Sequence, residues 1–588
     1  MKSPLKLLVV GGYGTFGGRL VELLKDEPRL AIVVAGRSAS RAAAFCSAHQ
    51  DADARLMPAT FDRNGDVLEQ LRTLAPDILV DASGPFQAYG EGRYRLIEAC
   101  IAQGVHYLDL ADGSEFVSGV RAFDAAARAA GVYVLSGVSS FPVLTAAVVR
   151  HLSHGLTQIT SIRGGIAPSP YAGVGENVIR AIAGYAGQPV ALRRGGKPTT
   201  GNPFTENLRF TIAPPGRIPL KSTLFSLVDV PDLRVLAELW PGTDEIWMGA
   251  GPVPEVLHRA LICLAWLVRW RLLPSLSPLA PLMFFVTNRL RWGEHRGGMF
   301  VVVGGTHTNG QTVKYSWHLL AEGDDGPFIP SMAIEAIVRK VLDGHQPAQG
   351  ARPAVNDLEL ADYETLFANR TIHIGTRDET VDGGAPLFAQ LLADAWRKLP
   401  AVVREIHTPS SESLTEGRCT IERGSTLRSN WIASLFGFPK AADDLPVSVR
   451  FECENGTERW TRKFGTKTFS STLRAGRGTS EHLLCERVGL FDFAQALVVE
   501  GDRLRWVLRR WSIFGIPLPP WLAPRSNSYE TEQDGKFRFH VQISHPWTGL
   551  IVSYRGWLVR PAEPEPGHSP RKQTGRTRFS ARRQPYQQ

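Results

Sequence analysis

The stretch LKLLVVGGYGTFGGRLVELL, residues 5–24, decides the fold of the first part of the chain. Residues 5–10 are a short apolar run that ends on glycines. Leu20, Val21, Leu23 and Leu24 then recur at helical spacing, so a strand passes through a glycine turn into a helix. Gly12, Gly14 and Gly17 spell G-x-G-x-x-G. In this context each glycine has a separate task. Gly12 makes the tight turn, Gly14 lets the backbone approach a pyrophosphate, and Gly17 lets helix and strand pack closely. The helix N-terminus offers unpaired N–H groups and the positive end of its dipole to that anion.

Reading outward, AIVVAGR (31–37), ARLMPATFD (54–62), DILVDASGP (77–85), VHYLDLA (105–111) and VYVLSGV (132–138) are further strand-like runs. Helical stretches separate them at 39–50, 65–74, 91–103 and 115–130. Near-continuous apolar strands alternating with helices predict a parallel sheet covered on both faces. The expected fold is α/β, a Rossmann-type doubly wound sheet over residues 1–142. Folds that take NAD place an Asp or Glu about 20 residues beyond the glycines, on the ribose 2′-hydroxyl. Here the second strand ends in Gly36-Arg37-Ser38, with Arg41 one turn later and no carboxylate. A guanidinium and a hydroxyl suit a 2′-phosphate, because Arg meets phosphate through a bidentate fork. The cofactor expected is NADP(H).

After Phe141-Pro142 the texture changes. NLRFTIA (207–213), MFVVVGGTH (299–307) and TVKYSWHLLAE (312–322) read as antiparallel strands. PSMAIEAIVRKVLDG (330–344) reads as a helix bounded by Pro330 and Gly344. Residues 143–380 are expected to form an α+β unit for substrate binding and dimerisation. Strand-like runs such as VSVRFECE (447–454), LRWVLRRWSIFG (504–515) and FRFHVQISHP (537–546) predict a mainly antiparallel β domain over 385–560. From Pro561 to Gln588 almost no apolar residue occurs, and a disordered basic tail is expected.

Composition narrows the function classes. The 588 residues are 43% hydrophobic and 21% charged, which excludes global disorder. The tail holds six Lys/Arg against two Glu, so it carries +4 of the net +9. The rest is close to balanced and has no dense basic face, which argues against nucleic acid as a partner. The six cysteines form no CxxC pair, and reduced thiols fit a cytoplasmic protein. The first apolar run is too short for a signal peptide. ALICLAWLVRWRLLPSLSPLAPLMFFV (260–286) is interrupted by Arg269, Arg271 and three prolines, short of the roughly 20 apolar residues that span a bilayer. It is expected to be a buried lining or a subunit contact, such as that of a homodimer, with peripheral membrane contact as the other option. WSIFGIPLPPWLAP (511–524), in the Trp-rich last domain, is costly to leave bare. Core, an interdomain contact and a lipid-facing lip are its options.

GGYGTFGGRL (11–20), VAGRS (34–38), the run from DASGPFQAYG (81–90) through HYLDLADGSEF (106–116), and GVSSFPVLTAAVV (137–149) together resemble the saccharopine dehydrogenase NADP-binding family. The G-P-F-x-x-Y-G at 84–90 and the A-C-x-x-x-G-x-x-Y-x-D at 99–109 also look like the trans-acting enoyl reductases of that group. The likeness continues more weakly to 323–344 and GARP (350–353), where such proteins return a helix to the cofactor domain. Residues 385–560 resemble a domain of unknown function, DUF4166. The resemblance implies that Gly12, Tyr13, Gly14, Thr15, Phe16 and Gly17 hold the pyrophosphate. It implies Arg37 and Ser38 for the 2′-phosphate, Asp62 beside the adenine, and Ser83, Gly84 and Pro85 beside the nicotinamide ribose. The family's D-L-T-G-E is here Asp109-Leu110-Ala111-Asp112-Gly113, so its substrate contacts do not transfer.

Asp81, Tyr89, His106, Asp109 and Asp112 are the polar candidates at the strand ends, with Asp109 and Asp112 the better-placed pair for catalytic proton transfer. Glu294, His295, Arg296 and Tyr171 are candidates for a cleft in the second unit. No metal is expected: HExxH is missing, and His151 and His154 lack a carboxylate partner. Two functions remain. One is an NADP(H)-dependent oxidoreductase acting on a small-molecule or lipid-like substrate. The other is a non-catalytic NADP(H)-binding protein whose β domain binds lipid or protein.

Overall fold

Six apolar runs become parallel strands of the first sheet, five of them largely buried and the edge strand Arg55–Thr60 half-exposed. In chain order the elements are β1 (Leu5–Val10), α1 (Thr15–Leu24), β2 (Leu30–Gly36), α2 (Ala39–Ala48), β3 (Arg55–Thr60), α3 (Val67–Leu74), β4 (Ile78–Asp81), α4 (Arg95–Gln103), β5 (His106–Asp109), α5 (Ser114–Gly119), α6 (Asp124–Ala129) and β6 (Tyr133–Ser136). The spatial order is β6-β5-β4-β1-β2-β3, with the strand Gly350–Pro353 added in parallel beside β6. Strand order reverses between β1 and β4, where Val10 pairs with Asp81. Open α/β sheets bind ligands in the crevice outside the strand ends at such a point. This is the doubly wound sheet that the apolar alternation predicts. The single helix expected over 115–130 is instead α5, a tight turn at Val120–Phe123, and α6. The break falls at Gly119, over which the Tyr94 hydroxyl packs too closely for any Cβ.

The computed structural model describes residues 3–380, 384–409 and 412–561. The tail expected beyond Pro561 lies, from residue 562, outside the described residues. The second sheet has seven strands, in the order Asn207–Phe210, Thr223–Leu227, Glu245–Ala250, Leu156–Ala167, Arg296–His307, Thr312–Glu322 and Ile372–Asp378. Only Glu245–Ala250 with Leu156–Ala167 is parallel. The helix Ile329–Leu342 lies on α1: Ser331 Oγ donates to the Phe16 carbonyl at 3.2 Å, and Arg339 donates to the Leu23 carbonyl at 2.9 Å. One continuous apolar core runs through both sheets.

Residues 260–286 fold into parts of two helices, Glu255–Arg269 and Ala280–Arg289, joined by a tight turn. Ala265, Val268, Leu276 and Ala280 enter a small helical core, while Trp270, Leu272, Leu282 and Phe285 are bare. Among the described residues no helix is long and apolar enough to cross a membrane. The last domain is a closed antiparallel barrel of ten strands, running from Glu412–Arg423 to Gly549–Val559. Pairing of Phe491–Glu500 with Arg503–Ile513 closes it. It has its own apolar core.

Candidate functional site

The glycine turn after β1 is built by crowding. Gly11 takes the left-handed conformation (φ +83°), and a Cβ there would sit 2.8 Å from the Ala82 carbonyl oxygen. The tight turn therefore belongs to Gly11, one residue before the Gly12 of the motif reading. Gly12 instead packs on Val34, whose Cα would lie 3.2 Å from an added Cβ. Gly17 stands over the Gly11 carbonyl, so that any Cβ would collide with it. Gly14 is the N-cap of α1, with no capping side chain and no acidic residue in the first turn. The N–H groups of that turn have no intrahelical acceptor and are open to an anion. A pyrophosphate fits this cradle.

At the end of β2, the Tyr13 ring covers Gly36 so closely that no side chain fits there. Its hydroxyl accepts the Ser38 N–H at 3.0 Å, and the Arg41 guanidinium lies 4.8 Å from its ring centre. Ser38 caps α2, its Oγ accepting the Arg41 N–H at 3.3 Å. Arg37 is exposed and has no hydrogen bond or ion pair among the described residues. Two cations and a hydroxyl thus stand at this strand end without a carboxylate. Asp62 organises the turn after β3, its Oδ1 accepting the Asn64 N–H at 3.0 Å. Gln70 holds the Asp62 backbone from both sides, at 2.7 and 2.9 Å.

Beyond β4 lies a second cluster. Ser83 Oγ donates to buried Asp81 at 2.5 Å and contacts the Tyr89 hydroxyl at 2.9 Å. The Arg63 guanidinium stacks 3.2 Å from the Tyr89 ring centre. Burial raises the Asp81 carboxyl, while Ser83 and the Arg63 charge pull it back. Asp109 is wholly buried at the end of β5. Its Oδ1 accepts from Gly137 N–H at 2.7 Å, Ala111 N–H at 3.0 Å and Ser136 Oγ at 3.0 Å. Its Oδ2 is buried with no partner among the described residues. Burial pushes its carboxyl up to about 7 against those three bonds.

Asp112 is different. It is exposed to solvent yet closely surrounded by protein. Confinement raises its carboxyl, and Gln87 Nε2, donating at 3.0 Å, opposes the rise. Facing it from the second unit is Asp229, raised by burial and held by Ser114 Oγ at 2.6 Å. The Tyr185 hydroxyl is raised by burial and by the charges of Asp112 and Asp229. The start of the helix Glu176–Tyr185 and the loop before it touch the first unit. Asn177 Nδ2 donates to the Gly84 carbonyl at 2.9 Å, and Arg19 donates to the Ala172 carbonyl at 2.9 Å. Pro85 follows Gly84 at this edge through a cis peptide bond. Asp229, Tyr185 and Asn177 carry no motif, and only folding brings them to the cleft.

Other candidates go elsewhere. His106 begins β5, so it lies at the amino edge of the sheet and not at the carboxyl edge expected of it. There it stacks on Tyr133 at 3.9 Å. Glu294 and Arg296 form a clasp to the barrel: Arg296 bonds Glu294 and the Ile218 carbonyl, and Glu294 bonds Arg509. Tyr171 packs on His295, whose imidazole meets Asp324 at 3.1 Å. His318, Glu379 and His482 bring ligand-type atoms within 4.8 Å of one another between the second sheet and the barrel. Hydrogen bonds already organise two of them. The Ala213 N–H donates to His318 Nδ1, so Nε2 carries the proton toward Ser316 Oγ at 2.9 Å, and Ser316 donates to Glu379 at 2.6 Å.

Two segments of the chain match known families. Residues 7–135 match the saccharopine dehydrogenase NADP binding domain, and residues 399–558 match the domain of unknown function DUF4166. The chain therefore joins a saccharopine dehydrogenase-type NADP-binding domain to a DUF4166 domain. Among solved structures it is similar to apo saccharopine dehydrogenase (L-Glu forming) from Saccharomyces cerevisiae, at 14% identity and a TM-score of 0.45, over 64% of this chain and 99% of that one. It is also similar to biliverdin reductase in complex with biliverdin and NADP+ from Synechocystis sp. PCC 6803, at 14% identity and a TM-score of 0.28, over 61% and 95%. Neither likeness carries a substrate across. No curated protein matches the chain.

Proposed function

We propose that the chain is an NADP(H)-dependent oxidoreductase working in the cleft between its first two units. When bound, the nicotinamide supplies or accepts the hydride. The observation that carries this reading is the crowded cradle Gly11-Gly14-Gly17 at an uncapped helix N-terminus, with unpaired Arg37 and neighbouring Arg41 at the adjacent strand end. The chain's own residues then divide the work. The first-turn N–H groups of Thr15 and Phe16 take the pyrophosphate. Arg37, Ser38 and Arg41 take the 2′-phosphate, and the Asp62 turn borders the adenine. Ser83, Gly84 and Pro85 border the nicotinamide ribose, with Asn177 bracing Gly84 from the second unit.

Of the two catalytic candidates, Asp112 is the one that faces the cleft. Its raised carboxyl suits it to hold a proton for the product, with Tyr185 and Asp229 beside it. Asp109, wholly buried, shapes the β5–β6 edge from behind. The substrate class that fits is a small-molecule or lipid-like carbonyl, imine or activated alkene. The test is NADPH oxidation on a panel of such compounds. Asp112→Asn should retain cofactor affinity within about threefold while turnover falls. Turnover that survives intact removes Asp112 from the reaction, and NADPH that binds but never reacts with any of the panel favours the non-catalytic alternative.

A further inference from the structure

We propose that the C-terminal barrel is a lipid site, whose cavity takes a hydrocarbon chain and whose bare apolar rim docks on the bilayer that supplies it. The barrel encloses a cavity of about 430 Å³. Every residue lining it lies between Ile406 and Leu558, so the cavity is separate from the cofactor cleft. Its volume is that of a small-molecule site. Aromatic and aliphatic side chains dominate the wall, among them Phe451, Phe469, Phe493, Leu508, Val541 and Ile543.

The charged groups Arg462, Glu486 and Glu530 of the wall are already paired, while Trp506 Nε1 and Thr548 Oγ1 are buried without a partner among the described residues. Arg462 donates to Ser471 Oγ at 2.7 Å and to Glu486 at 3.4 Å. Gln495 donates to Glu486 at 3.1 Å, and Glu530 is bonded to buried His407 at 2.6 Å. Arg462 and Glu486 form an ion pair, so neither charge is left to recruit a charged ligand. What fits inside is apolar.

The two ends of the barrel differ. Neighbouring strands are antiparallel, so successive connections alternate between the ends. One end carries the short polar turns Asn455-Gly456, Gly501-Asp502 and Asp534-Gly535, and it is anchored to the second unit. There Val499 N–H donates to the Gly216 carbonyl at 2.9 Å, and His482 meets His318 at 5.8 Å. The connections at the other end carry Leu427, Trp431, Leu435, Leu490, Phe514, Ile516, Trp521 and Trp547. These eight side chains are between 55% and 91% exposed. Leu427, Trp431 and Leu435 follow one another at i, i+4 and i+8 along the helix Leu427–Leu435.

Leu435 and Trp547 both line the cavity and stand in solvent, which places its mouth at this rim. Arg428, Lys440, Lys467 and Arg525, all exposed, lie in or beside the same connections. Tryptophans beside cations are the residue types of a bilayer interface with anionic lipid. Continuity of rim and cavity favours a lipid over a protein partner. A protein covering the rim would have no use for a chain-deep apolar cavity behind it.

The test uses the full chain with two readouts. The first is co-sedimentation with vesicles of phosphatidylcholine containing phosphatidylglycerol. The second is binding of a fluorescent long-chain fatty acid in solution. The wild type should do both. Trp431→Ser with Trp521→Ser, neither of which lines the cavity, should weaken vesicle association at least tenfold and leave the fatty acid bound. Ile543→Trp, which fills the cavity, should weaken fatty-acid binding at least tenfold and leave vesicle association. Val541→Phe is the milder filling if the first variant loses its thermal transition. NADPH titration should be unchanged throughout, which separates this proposal from the cofactor reading. A wild type that ignores both vesicles and fatty acid overturns it. So does a rim that buries itself in a second copy, seen as a dimer that the Trp521→Ser variant splits.

Discussion

The proposed cofactor cleft and the barrel cavity are built in opposite ways within one chain. The cleft is made of backbone. Its shape depends on missing side chains at Gly11, Gly14 and Gly17, and its chemistry on N–H groups and carboxyls at strand ends. The barrel cavity is made of side chains. Ten inward faces leave a space that aromatic and aliphatic residues line without filling. A site made of backbone is written locally, because three spaced glycines suffice. A site made by closure is spread over some 150 residues, from Ile406 to Leu558, and no segment announces it.

The sharpest way to break the comparison is Gly17→Val. Its side chain must displace the Gly11 carbonyl, so NADPH affinity should fall by on the order of 100-fold or more. Fatty-acid binding by the barrel should not move. Nucleotide fluorescence, with the thermal transition as control, checks both. Loss of both activities together would show that the two regions are not independent.

Next is Asp109→Asn, which tests the tension behind the cleft. The folded carboxyl is raised, to about 7, above its ordinary value near 3.8. Its contribution to stability is therefore fully present below about pH 4 and is lost as pH rises toward 7. The loss amounts to roughly 4 kcal/mol. Asparagine keeps an oxygen for Gly137, Ala111 and Ser136 and never ionises. Urea midpoints between pH 4.5 and 8 should thus fall more steeply with pH for the wild type than for the variant. Equal slopes would mean that Asp109 ionises freely in the folded protein.

Arg37→Ala with Arg41→Ala should reduce the preference for NADPH over NADH roughly 10- to 150-fold, the worth of one charge-assisted contact. NADH affinity should stay within about twofold. Arg37→Ala alone should do less, because Arg41 stands on the Tyr13 ring beside it. The smallest effect belongs to the barrel rim. Trp521→Ser removes a side chain that is 66% exposed, so urea stability should shift by only about 0.5 kcal/mol. A much larger loss would mean that the rim is packed in solution.

The first sheet was legible almost entirely, since its central parallel strands are buried and read as unbroken apolar runs, and the glycines fix their turn. The one shift within the motif, from Gly12 to Gly11, came from a backbone angle that adjacent glycines cannot reveal. The cleft was half legible. Asp112 sits at a strand end that sequence order points to, but Asp229, Tyr185 and Asn177 arrive from a unit without a motif. His106 was misplaced because a four-residue strand left its amino and carboxyl ends only a few residues apart. The antiparallel texture of the last domain was readable, and its closure was not, because pairing of Phe491–Glu500 with Arg503–Ile513 is set by the whole barrel. Residues 511–524 looked too apolar to stand bare, yet Phe514, Ile516 and Trp521 do.

One measurement bears most directly on the cofactor reading: parallel titration of the full wild-type chain with NADPH and NADH in the same buffer. Saturable binding of both is expected, with NADPH at least roughly tenfold tighter. Equal affinities, or no binding of either, would contradict it.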